Sequence, residues 1–276
     1  MNKRKLSELK PNGEFVLIKN HQIHVYRQGN VNNPKLVFMS GSGTISPIYD
    51  FKILYEKLLS HFRIIVIEKF GYGYSDIYNA SFDIDSLVSI YRETLDEVKE
   101  DGPFILLPHS MAGLEALRWK QLFPEEVSAI IGIDMAFPNI YKSWSERELH
   151  KRILTMKLAK KLMIHNFFDI CGIEHFLSFE ERKQVKLLSK RNGFNDCYIN
   201  EGYWVIKNAK TVDELSYKKC PMLLFVSNGK QTSKNWIEKQ QEFANITNAM
   251  LVSFDCGHYI HHFKSDEMIA YIKNFI

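Results

Sequence analysis

The residues of this chain whose types and spacing could do chemistry centre on Ser110. It stands in the stretch Phe104-Ile105-Leu106-Leu107-Pro108-His109-Ser110-Met111-Ala112-Gly113-Leu114-Glu115-Ala116-Leu117, where an apolar run passes through small or turn-compatible residues into a helical pattern. A serine on a sharp strand-to-helix turn is a nucleophile elbow. Neighbouring backbone crowds the positions two before and two after such a serine, so glycine is usual at both. Here they are Pro108 and Ala112. Alanine is nearly as small, and proline fits an extended φ while bringing no N–H. The turn presents Oγ at the carboxyl edge of a sheet. It also aims the Met111 N–H and the helix N-terminus at a developing oxyanion. The corresponding chemistry is nucleophilic attack on a carbonyl through a covalent intermediate.

Other reactive residue types form no comparable pattern. The four cysteines, Cys171, Cys197, Cys220 and Cys256, include no CxxC pair. They read as unpaired packing thiols of a reducing, cytoplasmic compartment. Met1 to Lys10 is basic but no apolar stretch follows, unlike a signal peptide, and no run approaches the roughly 18 apolar residues of a membrane span. With 45% hydrophobic and 25% charged residues, the chain is neither disordered, nor collagen-like, nor a coiled coil. Its net charge of +4 is too small to argue for nucleic acid.

Two patterns alternate along the chain and must position Ser110. Short β-branched apolar runs occur at residues 15–18, 23–27, 36–39, 64–67, 104–107, 129–133, 222–226 and 250–254, with a hairpin at Asn20-His21 between the first two. The later runs are continuous, as in strands buried on both faces. Helical patterns lie between them. One opens at Ser46-Pro47 and carries Ile48, Phe51, Leu54, Tyr55 and Leu58. Others span residues 82–99, follow Ser110, and run from Ser265 to the end. This predicts an α/β fold with a mostly parallel, doubly wound sheet. Residues 138–219 break the rhythm, with helices expected at 145–164, after the capping-box pair Ser178 and Glu181, and at 196–207. Residues 138–220 hold 16 Lys and Arg against 10 Asp and Glu, whereas the rest of the chain holds 20 against 22. We read this segment as a helical lid inserted after the sixth strand, with 1–137 and 220–276 as the core.

In this arrangement the chain resembles the α/β-hydrolase fold family over roughly residues 13–276. Leu36-Val37-Phe38-Met39-Ser40-Gly41-Ser42-Gly43-Thr44 is similar to the family's strand and oxyanion loop, and Glu68-Lys69-Phe70-Gly71-Tyr72-Gly73-Tyr74-Ser75 to its D-x-x-G-x-G-x-S loop. Asp255-Cys256-Gly257-His258-Tyr259 is similar to its catalytic histidine loop. The resemblance implies Ser110 as nucleophile and His258 as base. It implies Met111 and Ser42, or else Gly43, as oxyanion donors. His109 reads as packing, and His261 or His262 could replace His258 only if the loop shifted register.

The acid departs from the usual pattern. The loop after residues 222–226 carries no carboxylate. Some hydrolases of the fold place the acid one strand earlier, which points to Asp134. Asp255, or a triad completed by Asn228 or water, stays open, and Glu115 reads as structural. The resemblance implies a serine hydrolase acting on a carboxylic ester of a small or medium-sized acyl substrate. No metal or organic cofactor is expected, nor nucleic acid or stable membrane insertion; the chain would be a monomer or homodimer. Tyr141, Trp144, Phe167, Phe168, Phe176, Tyr203 and Trp204 could line an acyl pocket or pack the core. The alternatives are an aminopeptidase-like amide hydrolase and a non-catalytic binding protein. The first matches poorly, because its H-G-G-P-G and G-x-S-W-G-G motifs are absent.

Overall fold

The computed structural model describes residues 7–162 and 174–276. Phe167, Phe168 and Cys171, and the end of the helix expected to reach Ile164, lie outside them. Cys197, Cys220 and Cys256 are free thiols.

Eight strands form one sheet: β1 Glu14–Ile18, β2 His21–Gln28, β3 Lys35–Met39, β4 Arg63–Glu68, β5 Phe104–Pro108, β6 Val127–Ile133, β7 Met222–Val226 and β8 Met250–Ser253. Their order is β1-β2-β4-β3-β5-β6-β7-β8. The pairs β1–β2 and β2–β4 are antiparallel and the rest are parallel. The hairpin turn is Lys19-Asn20, one residue earlier than expected. Both residues have positive φ, and His21 already pairs with Ile18. Two left-handed residues give a turn whose twist matches that of the strands.

Continuous apolar runs work in the central strands because each face is covered. Val37, Met39, Ile65, Ile67, Leu106 and Leu224 join one core cluster; Leu36, Phe38, Ile64, Val66, Leu107 and Phe225 join the other. The first face is covered by α3 (Ile84–Glu97), α4 (Ala112–Leu122) and α9 (Trp236–Thr247). The second is covered by α1 (Pro47–Asp50), α2 (Lys52–Tyr55) and α10 (Ser265–Phe275).

The helix expected from Ser46-Pro47 is in fact two short ones, α1 and α2, separated at Phe51. Ser46 makes no side-chain cap. The Ile48 N–H donates to Glu68 Oε1 instead, at 3.1 Å. Glu68 Oε2 accepts the Tyr74 N–H at 2.8 Å and lies 2.9 Å from His24 Nδ1. A Cβ on Gly73 would come within 2.0 Å of this carboxyl group, so glycine lets the loop close over it. Glu68→Ala leaves these buried donors without an acceptor, and is expected to cost about 3 kcal/mol in urea unfolding. An unchanged midpoint would contradict this.

The segment between β6 and β7 contains α5 (Pro138–Tyr141), α6 (Glu146–Lys161), α7 (Phe179–Asn192) and α8 (Asp196–Asp213). Capping boxes open α6 at Ser145 and α7 at Ser178. The segment is fastened to the core by buried polar contacts. Arg191 donates to the Gly73 and Ser75 carbonyls (2.9 and 2.8 Å), and Asn192 donates to Gly73 O (2.8 Å). Helix α8 packs so closely on the β4–α3 loop that a Cβ on Gly71 would lie 2.5 Å from the Cys197 Cβ.

Candidate active site

The site lies at the carboxyl ends of β5 and β6, on adjacent strands. Two backbone strains build it. Ser110 follows β5 with φ +53°, and Asp134 follows β6 with φ +44°. Non-glycine residues hold this left-handed conformation only where the surroundings fix it. Here the Ser110 N–H donates to Ile133 O (3.2 Å), and Ser110 O accepts from the Gly113 and Ala136 N–H groups (3.0 and 2.7 Å). Position Gly113 is as demanding as the elbow, since a Cβ there would lie 2.1 Å from Ala136 O. Pro108 is tolerated as the last strand residue. The N–H groups that stitch the turn to its neighbours belong to His109, which bonds Met39 O, and to Ser110.

The structure brings Ser110, His258 and Asp134 into one hydrogen-bonded chain. Ser110 Oγ is 2.9 Å from His258 Nε2, and His258 Nδ1 is 2.6 Å from Asp134 Oδ2. The Asp134 side chain is fully buried and that of His258 is 18% exposed, so the imidazole faces a cavity while its partner does not. Asp134 Oδ1 accepts the Ser227 N–H (2.9 Å) and the Trp236 Nε1–H (2.8 Å). A carboxylate so surrounded by donors stays an acceptor toward Nδ1–H, which leaves Nε2 free to accept the serine proton.

The remaining alternatives fall elsewhere. Asp255 accepts from Asn228 Nδ2 (3.0 Å) at the surface. His261 and His262 each place Nε2 3.0 Å from Asp50, which occupies them away from Ser110. Glu115 is buried and accepts from Lys69 (2.8 Å) and Tyr91 (2.9 Å). Asp50, His261 and His262 are the three-residue group of metal-ligand types among the described residues, and they sit outside the cavity.

Sequence reading missed three supports. Trp236 and the Ser227 N–H hold Asp134, and Gln231 Oε1 accepts the His258 N–H (3.0 Å). A Cβ on Gly257 would meet that Gln231 oxygen at 2.5 Å, so the glycine preceding His258 lets Gln231 sit in this position. The signal available in sequence was the polar run Gln231-Thr232-Ser233 where a carboxylate was sought.

A cavity of about 940 Å³ opens over Ser110, bounded by α5, α6, α8 and the β7–α9 loop. Met111 and Ser42 line it, and neither N–H is bonded to another group among the described residues. Gly41 lets the Ser42 loop approach Ser110, since a Cβ there would lie 2.6 Å from Ser110 Cβ. Tyr141 and Trp144 line the cavity, beside Ile140, Leu149 and Ile153. Tyr203, Trp204 and Phe176 do not line it. Tyr203 and Phe176 are exposed, and Trp204 packs against the core.

Two buried histidines make the fold acid-sensitive. Burial, with His258 adding to it, holds His109 well below the ordinary imidazole value. Burial and then His262 lower His261 to about 4, against the opposing pull of Asp50. The unfolded chain takes up these protons near pH 6.5 and the folded chain does not. Stability is therefore complete above about pH 6.5 and declines toward pH 4, by about 1.4 kcal/mol per pH unit for each proton. Thermal unfolding should track this decline, and His261→Gln should flatten it; a midpoint constant from pH 6.5 to 4.5 would contradict the assignment.

A family model described as alpha/beta hydrolase fold matches residues 34–150, from β3 through the elbow into α6. The chain is 28% identical to the uncharacterized protein YbdG of Bacillus subtilis, covering 97% of this chain and 86% of the relative. It is 24% identical to a putative esterase/lipase of Haemophilus influenzae (93% and 88%). It is also 24% identical to epoxide hydrolase 1 of Caenorhabditis elegans, over 48% of this chain and 34% of that one. Among solved structures, a thermophilic esterase from Thermogutta terrifontis superposes with a TM-score of 0.75 at 15% identity (95% and 98%). No described helix is long and apolar enough to cross a membrane. With its antiparallel edge at β1–β2, its parallel strands beyond, and a helical insertion between β6 and β7, the chain has the α/β-hydrolase fold.

Proposed function

We propose that the protein is a serine hydrolase that cleaves carboxylic esters of small or medium-sized acyl substrates through an acyl-enzyme. The observation that carries this reading is the Ser110–His258–Asp134 hydrogen-bond chain, with distances of 2.9 and 2.6 Å, beneath an accessible cavity. In the proposed reaction His258 Nε2 takes the Ser110 proton as Oγ attacks the carbonyl. The Met111 and Ser42 N–H groups receive the oxyanion, each donor contributing about 3–4 kcal/mol to the transition state. His258 then protonates the departing alcohol. In the second half-reaction it activates water, which releases the acid and regenerates Ser110. Residues 138–219 act as a lid whose α5, α6 and α8 shape the acyl pocket.

The nucleophile's identity distinguishes this reading from epoxide opening, which the C. elegans relative's name raises. A serine that opened an epoxide would form an ether, which water does not readily cleave; an ester intermediate turns over. We expect steady hydrolysis of p-nitrophenyl butyrate by the wild-type protein and none of styrene oxide. Turnover of the epoxide without the ester would overturn the proposal.

A further inference from the structure

Helix α8 of the inserted segment reaches under the cavity to the loop that carries Ser42. Tyr198 Oη donates to Thr44 O at 2.8 Å. One turn further along, Glu201 accepts from Tyr72 Oη, and Tyr72 Oη in turn accepts the Gly43 N–H at 3.4 Å. The Tyr72 and Tyr198 rings pack at 4.6 Å between centroids, and both tyrosines are buried. The Gly43 N–H and the Thr44 carbonyl, the backbone groups that directly follow Ser42, are thus held by side chains of the insertion, directly or through Tyr72. The loop needs such ties, since Gly43 has φ +84° and nothing within 4 Å of a Cβ placed on it.

The same arrangement extends to the other oxyanion donor. Lys69, fully buried, donates to Glu201 Oε1 (2.6 Å) and to Glu115 Oε1 (2.8 Å). Burial pulls the ammonium's pKa down, but the two carboxylates outweigh that and hold Lys69 above its ordinary value. Glu115 lies in the first turn of α4, the helix that Met111 opens. One ammonium therefore joins the helix behind Met111 to the insertion that holds the Ser42 loop. An ammonium shared by two buried carboxylates has few ways to relax, so the three elements keep one geometry.

We propose that Tyr198 and Glu201 are positioning residues that set the distance between the Ser42 and Met111 N–H groups, so that the insertion places half of the oxyanion hole as well as covering the substrate. This rests on the serine-hydrolase reading. Its prediction is specific to the transition state, because a misplaced donor weakens binding of the oxyanion and leaves ground-state binding nearly intact.

The test uses Tyr198→Phe and Tyr72→Phe in the full-length protein, with Tyr203→Phe, an exposed residue on the same helix, as control. Three readouts apply: kcat and KM on p-nitrophenyl butyrate, affinity for an alkyl trifluoromethyl ketone whose serine hemiketal carries an oxyanion, and thermal midpoint. Tyr198→Phe is expected to lower kcat about tenfold, less than the roughly 10²–10³ from deleting a donor outright, with KM within about twofold. Affinity for the ketone should fall in the same proportion as kcat, and Tyr203→Phe should change none of these. A lowered midpoint with unchanged kcat and ketone affinity in both tyrosine variants would mean that the contacts only hold the fold, and would overturn the inference while leaving the hydrolase reading intact. Absence of ester hydrolysis by the wild type would overturn both.

Discussion

Ser110→Ala is expected to lower kcat on p-nitrophenyl butyrate by about 10⁵–10⁶-fold while leaving thermal stability within about 1 kcal/mol. The loss is large because Oγ is the atom proposed to bond to the acyl carbon. The His258 Nε2 that faces it at 2.9 Å bonds no second hydroxyl among the described residues. The cost to stability is small because the elbow is held by its backbone. The Ser110 N–H and carbonyl make three backbone hydrogen bonds that alanine keeps, and φ +53° is no harder for alanine than for serine. What survives in the variant is substrate binding and the two oxyanion N–H groups acting on water. Stopped-assay kinetics on purified variant would check this, and a loss under tenfold would contradict it.

Asp134→Asn is expected to lower kcat by about 10⁴-fold, with KM little changed. The size follows from the partners of Asp134. Its Oδ1 accepts from two fixed donors, the Ser227 N–H and the Trp236 indole N–H. An asparagine must turn its carbonyl oxygen toward them, which turns its NH₂ toward His258 Nδ1. Nδ1 then becomes an acceptor and the proton moves to Nε2, the nitrogen that has to be unprotonated to take the serine proton. The imidazole keeps its place and has the wrong tautomer. Asp255→Asn, which alters only a surface contact with Asn228, is expected to stay within about twofold of wild type. Equal losses in the two variants would contradict the assignment of the acid.

The sequence made the sheet legible because strands buried on both faces must be continuous in apolar residues, and those from Leu36 to Phe225 are. It made Ser110 and His258 legible because an elbow and a Gly-His turn are local features. Asp134 was harder, since its qualification is adjacency of β6 to β7 and β5, a fact of strand order rather than of any single segment. The segment after Ser46-Pro47 departs from the single expected helix for a related reason. Its periodicity is real, but Glu68, twenty residues on, supplies the helix acceptor and the segment breaks at Phe51. The ties from Tyr198 and Glu201 to the oxyanion loop were invisible for the same cause, since they span more than 120 positions and depend on how the insertion docks. Lys69 and Glu201 are charges that periodicity alone reads as solvated, and only their burial against Glu115 marks them as a designed cluster.

The most direct test of the central claim is covalent labelling of the nucleophile. Wild-type protein treated with a fluorophosphonate probe should gain one adduct mass, and peptide mapping should place it on Ser110. The probe reports an activated serine beside its base and oxyanion donors, the whole of what the Ser110–His258–Asp134 arrangement is argued to create. Ser110→Ala should gain no mass, and His258→Ala should label at least about 10³-fold more slowly. An unlabelled wild-type protein, or an adduct that maps to another residue and persists in Ser110→Ala, would contradict the account.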